Sequence, residues 1–138
     1  MARLVWMSAD EVQASRLEIA RNFAVAHHAY VVLKGHRTLI ATPDGKVFIN
    51  PTGNAGMATG GTGDVLAGMI AAWLAQLLDA EAACKLAVYL HGMAGDLAEG
   101  EEGEVSMTAG DLVRHLGAAV LELTARGKVA ERDGSRDQ

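Results

Sequence analysis

The stretch Asn50-Pro51-Thr52-Gly53-Asn54-Ala55-Gly56-Met57-Ala58-Thr59-Gly60-Gly61-Thr62-Gly63-Asp64 decides how this chain is read. Four glycines fall within the ten residues before Asp64. Val65, Leu66, Met69, Ile70, Trp73, Leu74 and Leu77 then recur at helical spacing. Glycines have no Cβ, so their backbone N–H groups can converge on one point. A helix N-terminus adds N–H groups without intrahelical acceptors and the positive end of a dipole. A glycine loop running into a helix therefore suits an anion, phosphate above all. Gly60, Gly61, Thr62 and Gly63 form the expected anion hole. No Gly-Lys-Ser/Thr follows, which excludes a Walker A loop, and Leu66 stands where a dinucleotide fingerprint needs its third glycine.

Asp64 is the unexpected member. A carboxylate beside an anion hole repels a resting phosphate, whereas Asp is favourable at a helix start as a plain cap. The glycines exceed what a cap needs. The functional reading is a general base that takes a proton from a hydroxyl attacking phosphorus, with the neighbouring N–H groups stabilising the charge that develops.

Working outward, residues 64–78 are expected to form one helix and residues 80–97 a second, capped by Asp79. A third opens at Thr108-Ala109-Gly110-Asp111 and ends near Ala125. Upstream, Ser8 and Glu11 make a capping box for a helix over residues 9–27. Tyr30-Val31-Val32-Leu33 is apolar at consecutive positions, the pattern of a strand covered on both faces in a parallel sheet. Residues 38–41 and 46–49 are read as strands joined by the Pro43-Asp44-Gly45 turn. Helices and strands in this order predict an α/β fold, with the later helices packed on sheet faces.

Between the first two strands lies Lys34-Gly35-His36-Arg37-Thr38. In open α/β sheets, ligands gather at the carboxyl ends of strands. Lys34 can bring positive charge to a phosphate, Gly35 allows close approach and Thr38 can donate a hydroxyl. Alone, this is an ordinary polar turn; its weight comes from the nearby glycine loop.

Size and charge narrow the classes. The 138 residues suffice for one domain able to bury roughly 70% of its unfolded surface. Half of them are hydrophobic, which opposes disorder. A net charge of −5 disfavours nucleic acid and anionic membranes as partners. A single cysteine, Cys84, leaves no internal disulfide framework and no multi-cysteine zinc site. With no apolar run of membrane length and no signal-peptide pattern, a soluble cytoplasmic protein is expected. The remaining features have plain readings: His27-His28 as a helix end, the small residues of His91-Gly92-Met93-Ala94-Gly95-Asp96 as close helix packing (with a ligand contact by His91 or Asp96 as the alternative), and Glu99, Glu101, Glu102 and Glu104 as a solvated acidic loop. No metal-ligating cluster is expected.

Residues 50–68, with Lys34-Gly35-x-x-Thr38 before them and Leu90-His91-Gly92-x-Ala94-Gly95-Asp96 after them, resemble the NAD(P)H-hydrate dehydratases. The likeness runs over about residues 8–123. It implies a ribokinase-like three-layer α/β/α fold, of which this chain is the C-terminal half. Residues 1–126 would be that portion of the domain and residues 127–138 a disordered polar tail. It also implies ADP- or ATP-dependent dehydration of hydrated NADH or NADPH, with magnesium on the phosphates. Lys34, Gly35, His36, Arg37 and Thr38 would contact the nucleotide and Gly63 its phosphates, while Asp64 and Asn54 would meet the substrate. Self-association into a homo-oligomer is a further implication. Ala55 departs from the family's usual proline, which loosens the loop without removing a functional group. The larger departure is length: family domains are about twice as long, so the chain alone is expected to be inactive and to expose apolar surface. Three alternatives stay open: a ribokinase-like kinase of a sugar or hydroxymethylpyrimidine, a nucleotide-binding module without catalysis, and a purely structural fragment.

Overall fold

The three strands that follow the N-terminal helices form one antiparallel sheet in the order β1-β2-β3. They are β1 (Val31–Leu33), β2 (Leu39–Ala41) and β3 (Val47–Ile49). The computed structural model describes residues 1–77 and 79–134, with side chains placed as far as residue 127. Val31 pairs with Ala41 and Leu33 with Leu39; Leu39 pairs with Ile49 and Ala41 with Val47. The parallel arrangement expected for Tyr30-Val31-Val32-Leu33 is thus corrected. Only residues 34–38 separate β1 from β2, and a parallel crossover needs a dozen or more. β1 is half-buried along its length, while β2, the central strand, is fully buried.

The helices preceding the sheet are α1 (Ala2–Val5), α2 (Ala9–Ala14) and α3 (Arg16–Ala26). The single helix expected over residues 9–27 is broken at Ser15, whose φ of −131° and ψ of 34° are not helical. Serine competes for local backbone hydrogen bonds and tolerates such a break. The capping box is present, with Glu11 N donating to Ser8 Oγ and Ser8 N to Glu11 Oε2. α3 lays Ala20 and Ala24, both fully buried, on Leu39 and Ala41, with Val31, Leu33 and Val47 around them. Alanines at this contact let a helix approach the sheet without a gap.

The β2–β3 turn forms as expected. Thr42 N donates to Lys46 O at 3.0 Å and Gly45 N to Thr42 O at 3.0 Å. Asp44 accepts from Thr42 Oγ1 and pairs with Lys46 at 2.8 Å. These bonds hold its carboxyl down at about 2.

Three long helices complete the chain: α4 (Thr62–Leu77), α5 (Ala80–Glu102) and α6 (Ala109–Gly134). α4 begins two residues earlier than expected; its expected last residue, Leu78, lies outside the described residues. Only Leu66 of its anticipated apolar side is buried, while Leu74 and Leu77 are exposed. Asp79 caps α5, its Oδ1 accepting from Ala82 N at 3.0 Å. α5 continues to Glu102 rather than stopping at Leu97, so Glu99, Glu101 and Glu102 are helical and not a loop. Two of them are paired: Arg114 reaches Glu102 at 3.3 Å and His115 reaches Glu101 at 3.2 Å. Thr108 and Asp111 form a reciprocal cap at the start of α6, with Thr108 N donating to Asp111 Oδ2 at 2.6 Å. α6 passes the expected end near Ala125 and reaches Gly134. Its sequence there is rich in helix formers, and an internal glycine such as Gly127 costs a helix only about 1 kcal/mol. Residues 135–138 of the expected tail lie outside the described residues.

The chain divides into two compact units, Met1–Pro51 with Gly68–Tyr89, and Thr52–Ala67 with Leu90–Gln138. The first holds the sheet, α1 to α3 and the first half of α5, where Lys85 Nζ sits 4.2 Å over the Phe48 ring. The second holds the glycine loop, the start of α4, the second half of α5 and α6. Its buried residues include Leu90, Met93, Ala94 and Ala98 of α5 and Leu112 and Ala119 of α6.

Candidate functional site

In the second unit the glycine loop descends through a 3-10 turn, Ala55–Met57, and then enters α4. The first recorded hydrogen bonds of the helix are Asp64 N and Val65 N donating to Gly61 O, at 3.0 and 3.1 Å. The N–H groups ahead of them, on residues 60–63, are those a helix leaves without intrahelical acceptors. Gly61 has a φ of +91°, which an L side chain rarely adopts, and a Cβ there would sit 3.1 Å from Ala109 Cβ. At Gly60 a Cβ would meet nothing within 4 Å, so the space over the loop is open. Thr62 turns its hydroxyl inward, with Met57 O at 2.9 Å and Thr59 O at 3.0 Å as acceptors. What the junction has to offer an anion such as a nucleotide phosphate is thus backbone N–H groups rather than the Thr62 hydroxyl. Asp64 stands exposed in the first turn of α4. The expected anion hole and expected base are thus on consecutive residues of one loop-to-helix junction.

Asn54 is turned toward α5. Its Nδ2 donates to Asp96 Oδ1 at 3.1 Å, and Gly53 N donates to Asp96 Oδ2 at 3.0 Å. Because a carboxylate only accepts, the Asn54 amide orientation is fixed, and its Oδ1 is left buried without a partner. Two glycines on the same face of α5 let the loop lie against the helix. A Cβ on Gly92 would be 2.7 Å from the Thr52 carbonyl carbon, and one on Gly95 would be 2.8 Å from Met57 Cγ. His91, buried, bonds through Nε2 to Thr62 O at 2.8 Å. A carbonyl cannot donate, so this ring nitrogen carries the proton. On the loop's other side, a Cβ on Gly56 would lie 2.6 Å from Glu104 O and 2.6 Å from Met107 Sδ.

In the first unit, Lys34, Gly35, His36 and Arg37 are exposed in the β1–β2 turn and Thr38 is half-buried. Thr38 Oγ1 donates to Gly35 O at 3.2 Å. The turn is held by a residue that the sequence did not single out. Arg16, at the first position of α3, donates through Nη1 to His36 O at 2.6 Å. Its Nη2 donates to Leu33 O at 3.1 Å and Lys34 O at 3.3 Å. Its Nε is buried without a partner. A guanidinium fork suits several carbonyls converging from one turn. Cys84 is buried, and burial pushes its thiol up, away from a reactive thiolate.

Among the described residues, no group of three His, Cys, Asp or Glu side chains could hold a metal ion, and no helix is long and apolar enough to cross a membrane.

The Carb_kinase family, described as NAD(P)H-hydrate dehydratase, matches residues 1–117. The chain is 53% identical over 116 residues to the bifunctional NAD(P)H-hydrate repair enzyme Nnr of Moorella thermoacetica, covering 84% of this chain and 22% of that one. It is 44% identical over 113 residues to the ADP-dependent (S)-NAD(P)H-hydrate dehydratase of Neisseria meningitidis, covering 80% and 38%. Among solved structures it is similar to the ADP/ATP-dependent NAD(P)H-hydrate dehydratase of Bacillus subtilis co-crystallised with ATP/Mg2+ and soaked with CoA. There the TM-score is 0.84 at 38% identity, covering 88% of this chain and 45% of that one. A ribokinase-like superfamily protein of Enterococcus faecalis matches with a TM-score of 0.66 at 36% identity, covering 78% and 37%. The fold is thus that of ribokinase-like α/β proteins, and the chain spans less than half the length of each of these relatives.

Proposed function

Since the chain belongs to the NAD(P)H-hydrate dehydratase family, we propose that it carries the phosphate-binding and proton-accepting part of a site that dehydrates hydrated NADH or NADPH at the expense of ADP or ATP. The observation that carries this reading is the glycine run opening α4 with Asp64 in its first turn. Backbone N–H groups of Gly60, Gly61, Thr62 and Gly63 bind the transferring phosphoryl group and stabilise its charge. Asp64 takes the proton of the substrate's ring hydroxyl. The nucleotide supplies the phosphoryl group that turns this poor leaving group into a good one. Loss of phosphate and a ring proton then restores the double bond of the reduced nicotinamide. Lys34, Gly35, His36, Arg37 and Thr38 are the nucleotide contacts of this reading, and Asn54 is its second substrate contact beside Asp64. Magnesium would arrive with the nucleotide and would neutralise charge on its phosphates.

Two measurements test this reading. Calorimetric titration of residues 1–138 with ADP and magnesium should give saturable binding, retained in Asp64→Asn because that carboxylate serves the chemistry. Absence of binding would remove the phosphate role of residues 60–63 from this chain. A chimera in which residues 1–117 replace the matching part of the Bacillus subtilis enzyme reads the chemistry. It should form NADPH from its hydrate with release of phosphate, and Asp64→Asn should slow it roughly 100- to 10,000-fold. A stable phosphorylated product in place of NADPH would identify a kinase instead.

A further inference from the structure

We infer that Asp96 is a positioning residue for the glycine loop, acting on it from α5 through both of its carboxylate oxygens. The inference rests on the phosphate reading of that loop for its functional consequence, and on geometry alone for the contact. His91, Gly92, Gly95 and Asp96 occupy positions i, i+1, i+4 and i+5, close enough in angle to share one side of a helix. Each of them meets the loop or the helix start that follows it. Gly92 and Gly95 remove the side chains that would hold Thr52 and Met57 away. Asp96 then closes the contact with hydrogen bonds from Gly53 N and from Asn54 Nδ2. His91 fixes Thr62 O, at the other end of the loop. The helix is thereby a template against which residues 52–62 take one shape, and the donors of residues 60–63 are aimed before any ligand arrives. Fixed donors bind an anion without the ordering cost that a free glycine loop would bear. Asp96 touches neither the open space at Gly60 nor Asp64, so its effect on the site passes through Gly53 and Asn54.

The experiment is a pair swap on the 138-residue chain, read by amide hydrogen exchange at Gly53 and by calorimetric affinity for ADP with magnesium. Asp96→Ala removes both acceptors. Gly53 exchange should accelerate about tenfold and ADP affinity should fall by a similar factor, while the thermal midpoint stays within a few degrees. Asn54→Asp sets two carboxylates at hydrogen-bonding distance, and their repulsion should loosen the loop to the same extent. In the double variant Asn54→Asp/Asp96→Asn, the new Asn at 96 donates to the new carboxylate at 54 and still accepts from Gly53. Exchange and affinity should both return to within about threefold of the parent. Glu99→Gln, which removes a carboxylate one turn further along α5, should change neither. Unaltered Gly53 exchange in Asp96→Ala, or a double variant no better than Asn54→Asp alone, overturns the inference. If the parent chain binds no ADP, the phosphate reading fails, and Gly53 exchange alone still decides whether Asp96 positions the loop.

Discussion

His115 bonds through both ring nitrogens, Nδ1 to Asp111 O at 2.9 Å and Nε2 to Glu101 Oε2 at 3.2 Å. Both partners are acceptors, and only the imidazolium donates from both nitrogens. The Asp111 carbonyl, and then the Glu101 carboxylate, raise the ring's pKa above its ordinary value. A raised folded-state pKa means stability that is fully present below the ordinary histidine value and is lost as pH rises through the folded one. The thermal midpoint should therefore fall by about 1–3 °C more in the parent than in His115→Gln between about pH 5.5 and 8.5. Equal falls in both proteins would refute the pairing. At this scale the sequence was partly legible. Asp64 and the glycines before it stand out because the loop-to-helix junction they form is local in sequence. Arg16 and the loop contact of Asp96 do not, because what these side chains hold is distant along the chain. The helical spacing of His91, Gly92, Gly95 and Asp96 was visible as a stripe of small residues, but its occupant, a loop rather than a helix, was not.

At the scale of elements, the β1–β2 hairpin depends on a helix that is not part of it. Arg16 draws three carbonyls of residues 33–36 together, so the turn's shape is set from α3. Arg16→Met keeps much of the side chain's length and removes the fork. It should speed amide exchange across residues 34–38 roughly tenfold, with an overall cost of about 1–3 kcal/mol. Arg16→Lys should restore little of either, since one ammonium cannot span the fork. Full protection in Arg16→Met would assign the turn's shape to the strands alone. The strands themselves were legible from β-branched and apolar runs, but their direction was not. Consecutive apolar residues suit a buried parallel strand or a half-buried hairpin strand equally, and the short connection between them decides. The ends of the helices were misjudged for a related reason. Glu99 to Glu102 read as a loop on charge alone, whereas glutamate is a good helix former and Glu101 and Glu102 also pair with His115 and Arg114.

For the molecule as a whole, what governs activity is how much of a ribokinase-like protein is in hand. The chain spans 38% of the Neisseria meningitidis dehydratase and 45% of the Bacillus subtilis structure. A site assembled from a whole domain should not turn over when less than half of it is present. The 138-residue chain alone should form no NADPH from its hydrate, whatever its affinity for ADP. Turnover by the purified chain would mean that the phosphate loop, the β1–β2 turn and Asp64 suffice. The α/β class and the location of the loop were readable at this scale. The division into two units, with its boundary inside α4 and again inside α5, was not, since neither helix carries a break in its sequence pattern there.

The glycine loop is also gripped by sulfur. The thioether of Met57 lies where a side chain on Gly95 would have to go, and that of Met107 lies 2.6 Å from where a side chain on Gly56 would begin. Neither sulfur has space on that side for another atom. Oxidation of either to the sulfoxide would add a polar oxygen to that contact and loosen the loop. Peroxide should thus speed amide exchange at Gly53, and a methionine sulfoxide reductase should slow it again.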